Sequence, residues 1–244
     1  MGRRHDGLRI SALVWVTAAM ALVIGLSVAF ASATGKVPFN PWGGLTDQQK
    51  QAQVDAVHAA NVKYLEDFEA RHGDPRSLPV IKLSTYQPPA ASVGAATAQA
   101  RLIVHGRVSS VHFIADPTGN LPQMSANVTI SEVGKGSLAS GQIVVRQIGG
   151  PVAQPHGAGA LIELEYEQLM LPGDEVLLLV TPMPDGGQYR AVYGPGVQFI
   201  RGGSLAGESS ARYGIDGKPY SEIWKALTDP SLPTSSYPLR DQSQ

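Results

Sequence analysis

The chain of 244 residues contains no cysteine. That excludes disulfides, thiolate nucleophiles and cysteine-bound zinc, and with them a lipid anchor attached through a cysteine. An exported domain of this composition is held by its core alone. Charge is scarce as well, with Asp, Glu, Lys and Arg making up 16% of the residues. The net charge is −1, and three of the basic residues, Arg3, Arg4 and Arg9, fall in the first nine positions beside a single acid, Asp6. The remainder is therefore near −3. It lacks the basic field needed to hold a polyphosphate backbone, so nucleic acid is not an expected partner. No phosphate loop, dinucleotide fingerprint or His-Glu-x-x-His pattern occurs.

Hydrophobic residues are present at 43%, enough for a sizeable core. One long run stands apart. Residues 10–30, ISALVWVTAAMALVIGLSVAF, carry no charge, and none appears between Arg9 and Lys36. At 1.5 Å per helical residue the run spans about 31 Å, the thickness of a hydrocarbon core. The arginines ahead of it predict a cytoplasmic N-terminus and an extracytoplasmic remainder. Phe39 and Trp42 follow where aromatic side chains favour the interface. A single-pass anchor in the bilayer is the expectation. The alternative is a secretory leader cleaved near Ala33, since Ala31-Ser32-Ala33 makes a small-residue exit site.

The rest divides into a linker and helix (34–91), a strand-rich stretch (92–202) and a C-terminal extension (203–244) with a short helix at 221–227. Residues 46–72 read as a membrane-proximal helix. Thr46 and Gln49 form a capping box, and Gly73 supplies a stop. Val54, Val57, Asn61, Leu65 and Phe68 share one stripe. The stripe suits a helix lying on its own domain, or a dimerising coil with Asn61 in the seam. His58 and His72 sit about 21 Å apart along its axis and cannot share a metal within one chain. Residues 73–92, with four prolines, read as an extended connector, and 92–100 as a short Ala-rich helix.

Strands are expected at 101–115, 123–133, 142–148, 163–167, 175–180, 188–193 and 197–201, with a loop over 149–160. Short strands at about ten-residue spacing, separated by Gly-rich turns, imply a small antiparallel barrel or sandwich. In Glu175–Val180, "EVLLLV", both alternating sets are apolar. Both faces of this strand must be covered, one by a barrel interior and the other by helix 92–100 or 221–227.

Candidate chemistry is thin. "IVHGRVSSVHF" (103–113) holds His105 and His112, whose odd separation puts them on opposite faces of a regular strand. They read as two partly exposed strand residues rather than a metal or catalytic pair. "RGGSLAG" (201–207) approaches the Gly-x-Ser-x-Gly elbow of serine hydrolases, but Ala206 replaces the second glycine and no apolar helix follows. Ser204 therefore reads as a surface-loop serine, with an extracytoplasmic hydrolase as the alternative. Glu163, Glu165 and Glu167 fall on one side of a strand some 6–7 Å apart, too far to chelate Ca²⁺ without a neighbouring loop. They read as a solvated face. Asp116, Thr118 and Asn120 alternate in "DPTGN", which lacks the downstream acid of a calcium loop and reads as a turn. Asn127-Val128-Thr129 matches a glycosylation acceptor but lies within a strand. No catalytic, metal or cofactor residue is assigned.

The frame A-x-L-I-V-x-G-R-V-x-x-V (100–111), V-T-I-x-E-V-x-K-G (128–136), I-V-V-R-x-x-G-G (143–150), L-P-G-D-E-V-L-L-L-V (171–180) and Y-R-A-V-Y-G-P-G-V-Q-F (189–199) resembles a bacterial cell-envelope domain. Its strand order is similar to the OB-like barrel of netrin and tissue-inhibitor (TIMP) modules. The resemblance covers about 92–202. It rests on turn and bulge positions such as Gly106, Gly134-Lys135-Gly136 and Pro172-Gly173-Asp174, and it carries over no functional residue. The cysteines that pin netrin and TIMP modules are absent. The resemblance implies a non-catalytic envelope protein whose barrel binds a protein, glycan or small ligand.

Overall fold

The computed structural model describes residues 45–85, 87–115, 121–154, 159–184, 186–229 and Tyr237. The chain forms two compact units. One takes residues up to Pro79 with 114–122 and 151–161, and the other takes 80–113, 123–150 and 162 onward. The expected span 10–30 and the turn 116–120 lie outside the described residues. Among the described residues no helix is long and apolar enough to cross a membrane.

In the first unit, helix α1 runs Asp47–Ala70. Its capping box forms as the sequence implies. The Gln49 N–H donates to Thr46 Oγ1 (3.2 Å), and the Thr46 N–H donates to Gln49 Oε1 (2.9 Å). The helix ends at Ala70, two residues short of the expected end, and His72 rather than Gly73 takes the left-handed conformation (φ 52°) that stops it. Of the stripe, Asn61, Leu65 and Phe68 are buried within the chain, and Val54 and Val57 are half-buried. Asn61 Oδ1 accepts the Ala153 N–H at 3.3 Å. The polar residue in the stripe thus serves a strand end of its own unit.

The second unit holds the barrel. Its elements are β1 (Val80–Leu83), α2 (Val93–Gln99), β2 (Leu102–Ile114), β3 (Gln123–Lys135), β4 (Gln142–Ala153), β5 (Gly159–Leu164), β6 (Glu175–Pro182), β7 (Gln188–Ala191), β8 (Val197–Arg201), β9 (Ser204–Ala206), α3 (Glu208–Arg212) and α4 (Tyr220–Thr228), the tips of β2, β4 and β5 reaching into the first unit. The strands run β1-β5-β4-β3-β2-β6-β8-β9, and β7 pairs with both β4 and β6. The ring β2-β3-β4-β7-β6 is closed, so five strands make a barrel. Within it, β6-β2-β3-β4 has the order of a Greek key, where the fourth strand returns by a long connection to lie beside the first. The closing pair β4·β7 is parallel, which differs from the all-antiparallel barrel expected. The tight turn after β6 forces β7 antiparallel to it, and that direction matches β4.

Alternation along β6 assigns its two faces. Val176, Leu178 and Val180 pair in register with Gly106, Val104 and Leu102 and face the barrel interior. Leu177 and Leu179 join a second core outside the ring, with Ile103, Val93 and Ala96 of α2, Ile223 and Leu227 of α4, and Tyr213 and Ile215. Both helices named from the sequence cover this face. Gly106 is required in the ring because a Cβ there would run into the Thr129 carbonyl of β3.

Three stretches differ from expectation. The proline-rich connector contains β1, which hydrogen-bonds through Leu83 O to the Glu165 N–H (2.8 Å). The loop expected over 149–160 is strand through Ala153 and again from Gly159, because Gly149 and Gly150 take positive φ and let β4 continue. The C-terminal extension contributes β9, α3 and α4, and its Leu205, Tyr213, Ile215 and Ile223 are fully buried in the second core.

Candidate functional site

The outward face of the barrel at β3, β4 and β7 has one character. Along β4, Ile143 and Val145 point inward and are buried, while Gln142, Val144, Arg146 and Ile148 alternate with them on the outer side. The register carries this face across the sheet. Arg146 pairs with Ser125 of β3 on one side and with Arg190 of β7 on the other, and Arg190 pairs with Thr181 of β6. In the next row Val144 lies between Asn127 and Gln188. Asn127 Nδ2 then donates to Ser110 Oγ of β2 at 2.9 Å. The pairs Gln123–Ile148 and Thr129–Gln142 extend the face at both ends. None of these paired positions is Asp or Glu. Hydroxyls, amides and two guanidinium groups are what the face offers, and neighbouring strands about 4.8 Å apart set the arginines side by side. Gln188 Oε1 is buried and accepts no hydrogen bond among the described residues.

A second constellation collects the glutamates of 163–167. Expected on a solvated strand face, Glu163 and Glu167 are instead buried (5% and 9% exposed). The reason is that β5 ends at Leu164 and the chain turns, with Tyr166 in the left-handed region (φ 69°). Glu163 accepts the Leu169 N–H (3.0 Å) and Lys82 Nζ (2.8 Å). Lys82 also reaches Glu208 of α3 (2.7 Å), which Arg212 holds at 2.9 Å. Burial pulls the Lys82 ammonium down, but the hydrogen bonds and charges of Glu163 and Glu208 outweigh it and leave the pKa above its ordinary value. Burial pushes Glu208 up, and Lys82 and Arg212 outweigh this to leave it lowered. The Arg212 guanidinium lies 4.3 Å from the Tyr166 ring centre, and Tyr193 meets Tyr166 edge-on. Tyr193 Oη donates to the Glu165 carbonyl at 2.7 Å. These contacts hold Tyr166 in a conformation that costs a non-glycine residue about 1–3 kcal/mol. Glu165 remains half-exposed and accepts Ser84 Oγ at 2.9 Å. The Glu167 carboxylate accepts no hydrogen bond among the described residues. Burial raises its pKa to about 7, against the pull of Arg190 and Lys82.

His105 is a partly exposed strand residue as expected, but it is held from both sides. Its side chain is 13% exposed. Nδ1 lies 3.1 Å from Glu132 Oε1 of β3, and Nε2 lies 2.8 Å from Glu175 Oε1 of β6. The ring also packs on Tyr220 of α4, with centroids 4.6 Å apart. A ring protonated at both nitrogens donates to both carboxylates, and a neutral one to only one. The group ties β3, β6 and α4 to β2. His112, seven residues along β2, is exposed and shares none of these contacts. Among the described residues no set of three His, Asp or Glu converges as metal ligands.

Ser204 opens β9. Gly202 and Gly203 before it both take positive φ (57° and 79°), the signature of a two-residue type I′ hairpin. The segment expected as a surface loop is therefore a hairpin, and Ser204 forms no hydrogen bond to a histidine among the described residues. The short helix α3 follows where only turn formers were read. Asp116, Thr118 and Asn120 lie outside the described residues. Sequence reading missed Lys82 because Glu163 and Glu208 lie far along the chain and β1 is hidden among prolines, and it missed the i,i+4 pair Glu208–Arg212 because α3 was not read as a helix. No protein-family model matches this chain, and no curated protein matches it either.

Proposed function

We propose that the chain is a non-catalytic, single-pass membrane protein of the cell envelope that carries a β-barrel binding module on the outer side of the membrane. The uncharged run 10–30 behind Arg3, Arg4 and Arg9 supports the anchor. The binding role is carried by one observation, the polar outward face of β3, β4 and β7, whose register-paired positions hold no Asp or Glu. OB-type Greek-key barrels bind on an open strand face. The strand order β6-β2-β3-β4, closed by β7, supports the finer reading as an OB-like barrel of the kind found in netrin and TIMP modules. The position of Ser204 in a tight hairpin supports a non-catalytic role over a hydrolase.

Two experiments test this reading. The full chain should fractionate with membranes and keep residues 10–30, and N-terminal sequencing that starts at Thr34 would replace the anchor with a cleaved leader. On saccharide and peptide arrays the detergent-solubilised chain should bind, and Val144→Glu, in the middle of the face, should abolish that binding. Binding that survives Val144→Glu in a folded variant would place the site elsewhere.

A further inference from the structure

Residues 166–171 lead the chain from β5 towards β6 without joining a strand. Side chains hold their backbone instead. The Leu169 N–H donates to Glu163 Oε1 (3.0 Å) and the Met170 N–H to Gln147 Oε1 (2.9 Å), while Gln147 Nε2 donates to the Gln168 carbonyl (3.1 Å). None of these bonds belongs to a strand ladder, so the segment can leave without parting two strands. Leu169 and Met170 are fully buried, and Leu169 seats against Gly149 of β4, where an added Cβ would lie 3.2 and 3.3 Å from its methyl groups. Two features set this strap apart. Tyr166 at its start is in the left-handed region (φ 69°), which is strained for a non-glycine residue. Glu167 beside it is 9% exposed, and its carboxylate accepts no hydrogen bond among the described residues. A neutral carboxyl is tolerated in such a place, and an ionised one is disfavoured by burial. Arg190 of β7 and Lys82 of β1 act on it in favour of the charge. Lys82 is already held by Glu163 and Glu208, and Arg212 lies over Tyr166 with Glu165 and Glu208 beside it. Tyr193, edge-on to Tyr166, is the remaining titratable neighbour. Burial prevails over the two cations and lifts the Glu167 pKa to about 7.

We propose that residues 166–171 are a pH-operated strap, closed over β4 while Glu167 is protonated and released when Glu167 ionises, which exposes Leu169 and Met170 and frees the Gln147 amide and the Glu163 carboxylate. The device is independent of the binding-face reading above. In the released strap Glu167 returns to its ordinary pKa of 4.5, so the closed strap holds the extra proton between 4.5 and about 7. Closure is therefore favoured fully below that window and is lost as pH rises through it. A rise from 4.5 to about 7 limits the change in the opening equilibrium to about 300-fold. Amide exchange of the full chain in detergent micelles, expressed as protection factors, tests this. Protection at Leu169 and Met170 should fall about tenfold or more between about pH 5 and about pH 8. The ring amides of Val104 and Leu178 should not follow. Glu167→Gln, neutral throughout, should keep Leu169 and Met170 protected at the higher pH. Protection that stays flat in the parent chain, or that falls equally in Glu167→Gln, would overturn the proposal. A parallel fall at Val104 and Leu178 would also overturn it, since the whole fold and not the strap would then be opening. If Glu167→Gln does not fold, the contrast between strap and ring amides in the parent chain decides.

Discussion

Strands β6 and β4 both belong to the closed ring, and they differ in what lies outside it. On β6, Leu177 and Leu179 on the outer side are as buried as Val176, Leu178 and Val180 on the inner side. A second core with α2 and α4 covers them. On β4, Ile143 and Val145 are buried within, while the outer side carries Gln142, Val144, Arg146 and Ile148. A strand apolar on both sides is committed to packing. A strand with one apolar side leaves the other available for recognition. The contrast puts β6 wholly in the core and leaves the proposed binding face on β4 with its neighbours β3 and β7.

The strongest way to break the contrast is to truncate β6. Leu178→Ala should cost about 2–5 kcal/mol, as for a fully buried leucine, measured by urea denaturation of the chain without residues 1–33. A near-neutral result would remove the barrel interior from the account. The next test is by pH. Burial raises the Glu167 pKa from 4.5 unfolded to about 7 in the fold. The folded state then binds more protons across that window, so the stability contributed is complete below about pH 4.5 and is lost as pH rises through about 7. Glu167→Gln should leave stability unchanged in acid and raise it by roughly 3 kcal/mol above about pH 8. Parallel pH profiles for the two proteins would show that Glu167 is solvated. Glu163→Gln, which leaves Lys82 with one carboxylate and weakens the bond to the Leu169 N–H, should cost about 2 kcal/mol. Smallest of all, Arg190→Gln on the outer face of β7 should change the unfolding free energy by no more than about 0.5 kcal/mol. If Arg190→Gln unfolded the protein, the face would be structural and the contrast would collapse.

The barrel strands were legible because each carries its period in its own residues. In β3, Met124, Ala126 and Val128 alternate with Ser125, Asn127 and Thr129, and the structure buries the first set. "EVLLLV" announced a strand covered on both faces, and α2 and α4 cover it. The turn of β8 into β9 was less legible. Gly-Gly before Ser204 suits either a nucleophile elbow or a type I′ hairpin, and only the pairing of Phe199 with Ala206 separates them. The glutamates at 163–167 were misread because strand alternation was carried past Leu164, where Tyr166 turns the chain and buries Glu167. The clamp on His105 and the bridge at Lys82 were invisible for a different reason. The partners of His105 lie 27 and 70 residues away, and Glu163 and Glu208 lie farther still from Lys82, so no local spacing encodes them. The proposed binding face was written in the sequence as the polar half of β3 and β4. Its meaning depended on the β4·β7 register, which brings Arg190 beside Arg146 and which no alternation pattern predicts.

The most direct measurement is the hydrogen-exchange footprint, on the full chain, of a ligand selected on the saccharide and peptide arrays. With that ligand at saturation, amide exchange should slow in β3, β4 and β7, around Asn127, Val144 and Gln188, and stay unchanged in β8 and β9 around Ser204. Slowing confined to the Ser204 hairpin, with β4 and β7 untouched, would contradict the assignment of recognition to the outer face of the barrel.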